Sequence, residues 1–263
     1  LRGQLSQGLF LPLEKFPELQ GLEVGADVTE ILGVTKWEPP MPAQLAGEVV
    51  GIFPHFIKAT DQNRIQNFVQ EAEDNRGQEF EVSVKLDGSS MTVYRFDRAT
   101  DKEGNKFLDH GVCSRNYNLR ESEKNSLWRV ARKNSMLEAL DFLGRNLAFQ
   151  GEIIGEGIQG NNEGLSGQDF YLFDIYDIDN QKYLAPAERQ EIVKVLNKNG
   201  FPIKHVPIVG NIVLNHTVDE ILAMADGQSL NNANREGLVF KRLDGQFSFK
   251  AISNWYLEKH ANR

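Results

Sequence analysis

Cysteine is almost absent from this chain of 263 residues, which contains only Cys113. A single thiol cannot form a disulfide within the chain, so a disulfide framework is excluded. A zinc site built from several cysteines is excluded as well. We therefore expect Cys113 to be a small residue that is buried or half-buried.

Long hydrophobic runs are also missing. No stretch approaches the roughly 18 consecutive apolar residues that a membrane-spanning helix needs. The N-terminus lacks the charged-then-apolar pattern of a secretory signal. The hydrophobic share of 40% is nevertheless ordinary for a globular core. The sequence therefore predicts a soluble, intracellular protein that does not contact membranes.

Positive charge is in deficit, because 29 Lys and Arg residues face 37 Asp and Glu residues and the formal net charge is -8. Proteins that coat nucleic acid non-specifically owe their affinity to clustered basic residues. This class is disfavoured. An enzyme that acts on nucleic acid is not excluded, since a local carboxylate cluster and a local basic groove can coexist with an acidic remainder.

A glycine-rich nucleotide loop of a common type is not present either. Residues 155–160 read Gly-Glu-Gly-Ile-Gln-Gly, which formally matches G-x-G-x-x-G. In dinucleotide-binding folds this motif opens a helix of a βαβ unit. Here residues 161–167 continue a loop, so we reject that interpretation. A Walker-type loop is also lacking.

The N-terminal part reads as the edge of another module. The chain begins at Leu1 without a methionine, and residues 35–42 form a proline-rich stretch. Such a stretch cannot continue a helix or a central strand and is typical of a linker. We predict that residues 1–40 are the end of one module plus a linker, and that residues 41–263 form the main domain.

The main domain alternates between helical and strand patterns. Apolar spacing predicts helices over 61–74, 124–143 and 186–199, with Asp61 as an N-cap and Gly144 ending the second helix. Residues 80–85 and 90–95 read as the strands of a hairpin with Lys85 near its tip. Further strands are predicted over 148–154, 171–176, 237–241 and 247–251. The predicted fold class is α+β, with antiparallel sheets and flanking helices.

A motif that could carry chemistry starts at Lys85, in Lys-Leu-Asp-Gly. Alone it is weak evidence, because about one random chain in twenty of this length would contain it, and a charged turn is an equally good explanation. An ordered set of further motifs follows along the chain: Ser114-Arg115-Asn116, Gly151-Glu152, Tyr171-Leu-Phe-Asp174, Glu236-Gly-Leu-Val239 and Phe249-Lys250.

This order resembles the covalent nucleotidyltransferase superfamily, which contains DNA ligases, RNA ligases and messenger-RNA capping enzymes. The resemblance spans residues 80–255 and implies an ATP-grasp-like adenylation domain. Two details resemble the ATP-dependent RNA ligases of the phage double-strand-repair type. Ser90 stands where DNA ligases and capping enzymes usually carry arginine, and residues 151–161 are similar to the RNA-ligase form of the third motif.

The resemblance implies a role for each matching residue. Lys85 would take AMP from ATP, Glu236 and Lys250 would assist catalysis, and Mg²⁺ or Mn²⁺ would be the metal. The implied metal residues are Asp87, Glu152 and Glu236. The implied nucleotide-binding residues are Lys85, Arg115, Glu152, Phe173 (or Tyr171, on the same strand face), Val239, Lys241 and Lys250. Ser248 departs from the family's Lys-x-Lys pattern, which puts one phosphate contact in doubt.

A lysine nucleophile must first lose its proton. An ordinary lysine is neutral only about once in 2,500 molecules at pH 7, a cost of roughly 4–5 kcal/mol. Positive charge close to the amine reduces this cost. We expect Lys250 and a divalent metal to supply that charge beside Lys85.

The resemblance also suggests partners and alternatives. Its implied substrate is RNA with a 3′-hydroxyl and a 5′-phosphate, held as a nicked duplex by a monomeric enzyme. Few residues follow Lys250, so residues 1–40 would include the remnant of an N-terminal OB domain, as in one small RNA-ligase family. The alternatives are a DNA ligase, a capping guanylyltransferase, or a nucleotide- or RNA-binding module that has lost catalysis.

Overall fold

The structure is a computed structural model that describes residues 11–34, 47–100 and 104–260. The chain divides into two compact units, Leu1–Gln44 and Leu45–Arg263. In the first unit, residues 11–34 contain two short 3-10 helices, Leu13–Lys15 and Pro17–Leu19. Residues 1–10 and the predicted linker at 35–42 lie outside the described residues, so the predicted OB remnant and the domain boundary stay predictions.

The second unit is built from strands and short helices. Its strands are β1 (Val49–Ile52), β2 (Glu79–Lys85), β3 (Ser89–Thr100), β4 (Lys106–Cys113), β5 (Tyr117–Leu119), β6 (Leu147–Gly155), β7 (Gln168–Asp177), β8 (Lys182–Tyr183), β9 (Lys204–His205), β10 (Ile208–Val213), β11 (Gly237–Arg242) and β12 (Ser248–Ile252). Its α-helices are α1 (Val69–Asp74), α2 (Ser126–Lys133), α3 (Met136–Leu143), α4 (Pro186–Lys198), α5 (Val218–Ala225) and α6 (Asn254–His260).

These strands form two sheets. The larger sheet has eight strands in the order β1-β5-β4-β3-β6-β7-β8, with β9 also paired to β7. The smaller sheet has four strands in the order β10-β2-β11-β12. Only the β7–β9 pairing is parallel among the described strands. The predicted α+β class with dominant antiparallel sheets is confirmed.

Three of the four apolar clusters among the described residues pack the helices and join the sheets. The first packs α2, α3 and α4 on the large sheet and includes Phe149 and Leu140. The second packs α5 on the small sheet and includes Phe240 and Ile221. A third cluster joins the two sheets through the side chains of Val84, Leu86, Ile154, Tyr171 and Val206. The sheets therefore face one another across a partly filled interior.

The predicted hairpin at Lys85 is wrong. The two strands exist, but β2 pairs with β10 and β11, whereas β3 pairs with β4 and β6. Residues 86–88 therefore carry the chain from the small sheet to the large sheet. Alternation along a strand shows which side chains share a face, but it does not show which strand will be the neighbour.

Two predicted helices are shorter than expected. The helix over 124–143 is broken into α2 and α3 at Ser135, whose φ of 49° is left-handed. The side chain of Asn134 turns back onto the carbonyl oxygen of Val130 and onto Asp169, which stabilises the break. The helix over 61–74 is reduced to a 3-10 turn at Ile65–Asn67 followed by α1, and Asp61 does not cap it. Gly144 does end α3 in a left-handed conformation.

A buried ionic network ties the two sheets together. Arg189 on α4 is 0% exposed and pairs with Glu81 on β2, which is 1% exposed. Its other guanidinium nitrogen lies 3.5 Å from Asp174 on β7. Asp174 also lies 2.8 Å from the ammonium group of Lys241 on β11. The network therefore joins β2 and β11 of the small sheet to β7 of the large sheet.

Replacing Arg189 by leucine tests this network. Arg189→Leu leaves Glu81 as a buried charge without its partner, so we expect the free energy of unfolding to fall by about 3–5 kcal/mol. Urea denaturation followed by circular dichroism measures the loss. Lys194→Leu on the same helix is the matched control, because its pair with Glu191 is exposed, and we expect a change below about 1 kcal/mol. Equal losses in the two variants would show that the buried network contributes no more to the free energy of unfolding than an exposed ion pair does.

Candidate active site

A cavity of about 620 Å³ lies between the two sheets and collects most of the predicted site residues. Seven of them line it: Lys85, Arg115, Glu152, Phe173, Val239, Lys241 and Lys250. Glu236 lies beside Lys85, because its carboxylate accepts a hydrogen bond of 2.7 Å from the Lys85 ammonium. The ordered motifs therefore converge on one site, although they are spread over more than half of the chain.

Strand β2 aims Lys85 at the cavity by simple alternation. Phe80 and Val82 face the core of the small sheet. Ser83 and Lys85, on the opposite face of the strand, line the cavity instead. Because successive strand residues point to opposite faces, the apolar pair fixes the direction of the polar pair.

The crossing between the sheets depends on Gly88. A Cβ atom at this position would lie 2.4 Å from the carbonyl oxygen of Ile153 and 2.8 Å from Cγ of Glu152. Only glycine allows the backbone to approach β6 so closely. The close approach lets the Gly88 N–H donate a hydrogen bond to the Glu152 carboxylate. The glycine of the Lys-Leu-Asp-Gly motif therefore brings Glu152 towards Lys85.

Lys85 lies in a strongly negative environment. Burial alone would lower the pKa of its ammonium group, but the charges of Glu236, Glu152 and Asp87 outweigh burial and raise that pKa. The lowering expected from the sequence depends on Lys250 and a divalent metal, and the protein's own carboxylates act against it. Without a bound ligand, the carboxylates decide the outcome and keep Lys85 charged.

The carboxylates beside Lys85 also have raised pKa values. Burial, followed by repulsion from Glu236 and Asp87, raises the pKa of Glu152 to about 7 despite the attraction of Lys85. Burial also raises the pKa of Glu236, with Asp87 acting in the same direction. Burial and repulsion between the carboxylates therefore outweigh the attraction of Lys85.

Lys250 lies near Lys85 on β12. Burial lowers the pKa of Lys250, and repulsion from Lys85 adds to the effect. The two ammonium groups therefore repel one another. Lys250 lies close enough to Lys85 to influence its charge, which is the arrangement expected from the sequence. Lys250 lines the cavity and so presents positive charge to it.

The predicted metal residues fit an open site rather than a closed one. Across residues 11–34, 47–100 and 104–260, no group of three His, Cys, Asp or Glu side chains is arranged to hold an ion by itself. Mg²⁺ commonly uses only one or two carboxylates, together with waters and substrate phosphates. Burial, with repulsion between the carboxylates, raises the pKa values of Glu152 and Glu236, and a cation beside them would favour their ionised forms. The residues present therefore fit a divalent metal that binds together with a phosphate-bearing ligand.

A β-bulge presents Phe173 to the cavity. Gln150 on β6 pairs with Asp174, and the next residue, Gly151, pairs with Leu172, so Phe173 is the extra residue of β7. Bulges re-aim side chains and are frequent beside active sites. Phe173 is half-buried and lines the cavity. The alternative aromatic residue, Tyr171, is 8% exposed and packs in the cluster between the sheets.

Lys241 lies behind Phe173 and is already engaged. Its ammonium is 2.8 Å from the Asp174 carboxylate, donates a hydrogen bond to the Phe173 carbonyl oxygen, and lies 5.3 Å from the centroid of the Phe173 ring. Burial lowers the pKa of Lys241 to about 8. These contacts indicate that Lys241 holds the bulge in place, while its predicted contact with phosphate stays a prediction.

Arg115 and Val239 occupy different depths of the cavity. Arg115 is 66% exposed, and its guanidinium lies 2.8 Å from Asp61, which is 65% exposed. Arg115 is therefore free to exchange this surface partner for an anion. Val239 lies deeper, where it is paired with Ser83 and Lys250 in the small sheet. Phe173 and Val239 both line the cavity, as the predicted two-sided base site requires.

The segment 58–64 is a part of the site that the sequence did not predict. The buried Gln150 side chain donates to the Lys58 carbonyl oxygen over 2.7 Å, and the Lys250 N–H donates to the Asn63 carbonyl oxygen over 2.9 Å. The segment thus runs from the large sheet to the small one. Three of its residues line the cavity: Thr60, Asp61 and Gln62. Its partners are distant in sequence, so no local pattern could have indicated its position.

The raised pKa of Glu152 predicts a dependence of stability on pH. The folded protein holds a proton on Glu152 up to about pH 7, whereas the unfolded chain releases it near 4.5. The contribution of this proton is fully present below 4.5 and is lost as pH rises through about 7. Between pH 4.5 and about 7, we expect the free energy of unfolding to fall more in the unsubstituted protein than in Glu152→Gln. Urea denaturation at several pH values measures the difference. Glu138→Gln, which removes an exposed carboxylate, is the control. Identical slopes for the original protein and Glu152→Gln would contradict the assignment.

Comparisons with known proteins agree with this geometry. The sequence profile of the family described as RNA ligase matches residues 78–252. Solved structures of the Naegleria gruberi RNA ligase, one with PPi and one of a mutant with ATP and Mn, are each 64% identical to this chain, with a TM-score of 0.77. Each match covers 100% of this chain and 75% of the ligase chain. A further mutant with AMP and Mn matches with the same identity and TM-score and is covered to 76%. No curated protein matches the chain. The profile match and the identity over the whole chain show that this chain belongs to the RNA ligase family.

Proposed function

We propose that this chain joins RNA ends in an ATP-dependent reaction whose first step places AMP on Lys85. The observation that carries the proposal is the position of Lys85 at the sheet crossing, where its ammonium contacts Glu236 and faces a cavity lined by Phe173 and Lys250. The cavity supplies a nucleophile, an aromatic surface and positive charge within one enclosure.

The similar ligase from Naegleria gruberi supports ATP as the substrate. It has been solved with ATP and Mn, with AMP and Mn, and with PPi. AMP and pyrophosphate are the two parts into which ATP divides when a nucleophile attacks its α-phosphorus. Solved variants of that ligase also replace a lysine and an aspartate two positions later, which is the spacing of Lys85 and Asp87 here.

The first step requires a neutral Lys85 amine. The Glu236 carboxylate, 2.7 Å from Nζ, is placed to take the proton. Nζ then forms a bond to the α-phosphorus, the bond from that phosphorus to the β-phosphate oxygen breaks, and pyrophosphate leaves. Charge develops on pyrophosphate during this step, and Lys250 is the cavity cation that would stabilise it.

The next two steps pass AMP on to RNA. An oxygen of the RNA 5′-phosphate attacks the lysyl-AMP phosphorus and releases the Lys85 amine. The RNA 3′-hydroxyl then attacks the activated 5′-phosphate, and AMP leaves as the strand is joined. Arg115, exposed at the cavity, is the side chain that we assign to a substrate phosphate.

Within this proposal the nucleotide occupies the cavity in one orientation. The adenine ring stacks on Phe173 and contacts Val239 on its other face. The ribose lies towards Glu152, and the triphosphate lies between Lys85 and Lys250. The side chains that would hold Mg²⁺ or Mn²⁺ are Glu152 and Glu236, with Asp87 beside them. A bound divalent ion would neutralise phosphate charge and lower the pKa of Lys85.

The competing functions differ in specific ways. Membership of the RNA ligase family disfavours a DNA ligase and a capping guanylyltransferase. An inactive binding module is disfavoured because Lys85 and Glu236 are not only retained but in direct contact. A nicked duplex as the substrate, a monomeric state and an intracellular location stay predictions. Among the described residues, no helix has both the length and the apolar character to cross a membrane.

Substitution of Lys85 tests the proposed function. With ATP labelled at the α-phosphate, we expect an acid-labile protein adduct that Lys85→Met abolishes, because methionine offers no amine to the phosphorus. Denaturing electrophoresis measures the adduct. Lys194→Met, which replaces an exposed lysine of α4, is the control and should label normally.

A second substrate separates loss of chemistry from loss of folding. RNA that already carries AMP on its 5′-phosphate no longer needs Lys85 as a nucleophile, so Lys85→Met should still join it. An adduct of unchanged intensity in Lys85→Met would exclude Lys85 as the acceptor of AMP.

A further inference from the structure

The start of helix α6 is hydrogen-bonded to the backbone at Glu236, which carries one of the site carboxylates. Ser253, which precedes the helix, is 1% exposed. Its N–H donates to the Glu236 carbonyl oxygen over 2.8 Å, and its hydroxyl donates to the Arg235 carbonyl oxygen over 3.0 Å. The Tyr256 N–H in turn donates to the Ser253 hydroxyl over 3.2 Å. The first turn of α6 is therefore fixed relative to Glu236.

The same helix reaches a second site carboxylate. The Tyr256 hydroxyl donates a hydrogen bond to Oδ1 of Asp87 over 3.1 Å. Asp87 is 6% exposed, so this bond lies in an almost enclosed environment. The Tyr256 ring also packs against His260, with 4.2 Å between ring centroids. The ring is therefore held by packing, and the hydroxyl is directed at Asp87.

The charge of Asp87 acts on the whole cluster. Burial has the largest effect on the pKa values of Lys85, Glu152 and Glu236, and Asp87 contributes an electrostatic effect to each. A short aspartate side chain at a sheet crossing can adopt more than one rotamer. A donor that fixes its carboxylate therefore also fixes the field that the other three groups experience.

We propose that Tyr256 is a positioning residue for adenylylation, because it holds the Asp87 carboxylate in the orientation that the divalent metal requires. The inference rests on the proposed function and adds a residue of the C-terminal helix to it. Hydrogen-bond donors to the carboxylates of a metal site commonly alter metal affinity by roughly 10–100-fold. Tyr256 thus influences the reaction through Asp87 and does not itself contact the reacting atoms.

Tyr256→Phe tests this role because it removes the hydroxyl and keeps the ring. We expect Mn²⁺ to bind about tenfold more weakly in the presence of α,β-methylene ATP, as measured from the electron paramagnetic resonance signal of free Mn²⁺. The Mn²⁺ concentration that gives half-maximal adduct formation with ATP should rise by a similar factor. In an Asp87→Asn background, Tyr256→Phe should have no further effect on Mn²⁺ binding.

Lys259→Met is the matched control on the same helix. Lys259 donates to the Asn162 side chain over 3.2 Å, so this variant loosens α6 without touching Asp87. We expect its Mn²⁺ affinity to equal that of the original protein. An equal loss in Lys259→Met would show that docking of the helix in general is what matters, and would overturn the assignment.

Two further results would also overturn it: original-level Mn²⁺ affinity in Tyr256→Phe, or effects of Tyr256→Phe and Asp87→Asn that multiply in the double variant. Failure of the proposed function is recognised separately, because the original protein would then form no adduct with labelled ATP. The Mn²⁺ binding measurement tests Tyr256 in either case.

Discussion

The passage of the chain from the small sheet to the large sheet at residues 86–88 is the constraint on which the site depends. It places Lys85 at the end of one sheet and Glu152 on the neighbouring strand of the other, and it requires a residue without a side chain at Gly88. The buried network of Arg189, Glu81 and Asp174 links the two sheets nearby. If the sheets separated, Lys85 would lose Glu152, whereas Glu236 immediately precedes β11 of the same small sheet.

The second consequence of this crossing is an excess of negative charge. Carboxylates from three different parts of the chain surround one lysine, and the pKa values of Lys85, Glu152 and Glu236 are all raised. Burial has the largest effect on each group and raises the pKa of the two glutamates, whereas for Lys85 the neighbouring carboxylates outweigh burial. In the proposed mechanism the protein alone therefore keeps its nucleophile inactive. A cation that binds with the nucleotide would offset the negative charge of the carboxylates and lower the pKa of Lys85 when the neutral amine is needed.

The sequence predicted the strands that carry the motifs, because alternation along a strand is local, and the role of the motifs came from the resemblance to a family. It did not predict that β2 and β3 belong to different sheets, since a turn at Asp87-Gly88 is compatible with either arrangement. The break at Ser135 was missed because Asn134 is stabilised by Asp169, which is remote in sequence. Helix α5 could have been found, because Thr217 and Glu220 form a capping box. The contact of Tyr256 with Asp87 spans 169 residues and left no local signal.

The central claim is that the carboxylate cluster keeps Lys85 protonated until a nucleotide and its cation bind. The most direct test is the pKa of the Lys85 amine in the ligand-free protein, followed by nuclear magnetic resonance of labelled lysine side chains and assigned with Lys85→Met. We predict a value above the 10.5 of an ordinary lysine, and a clear decrease when Mg²⁺ and α,β-methylene ATP are added. A ligand-free value below that of an ordinary lysine would contradict the account, because Lys85 would then be activated by the protein alone.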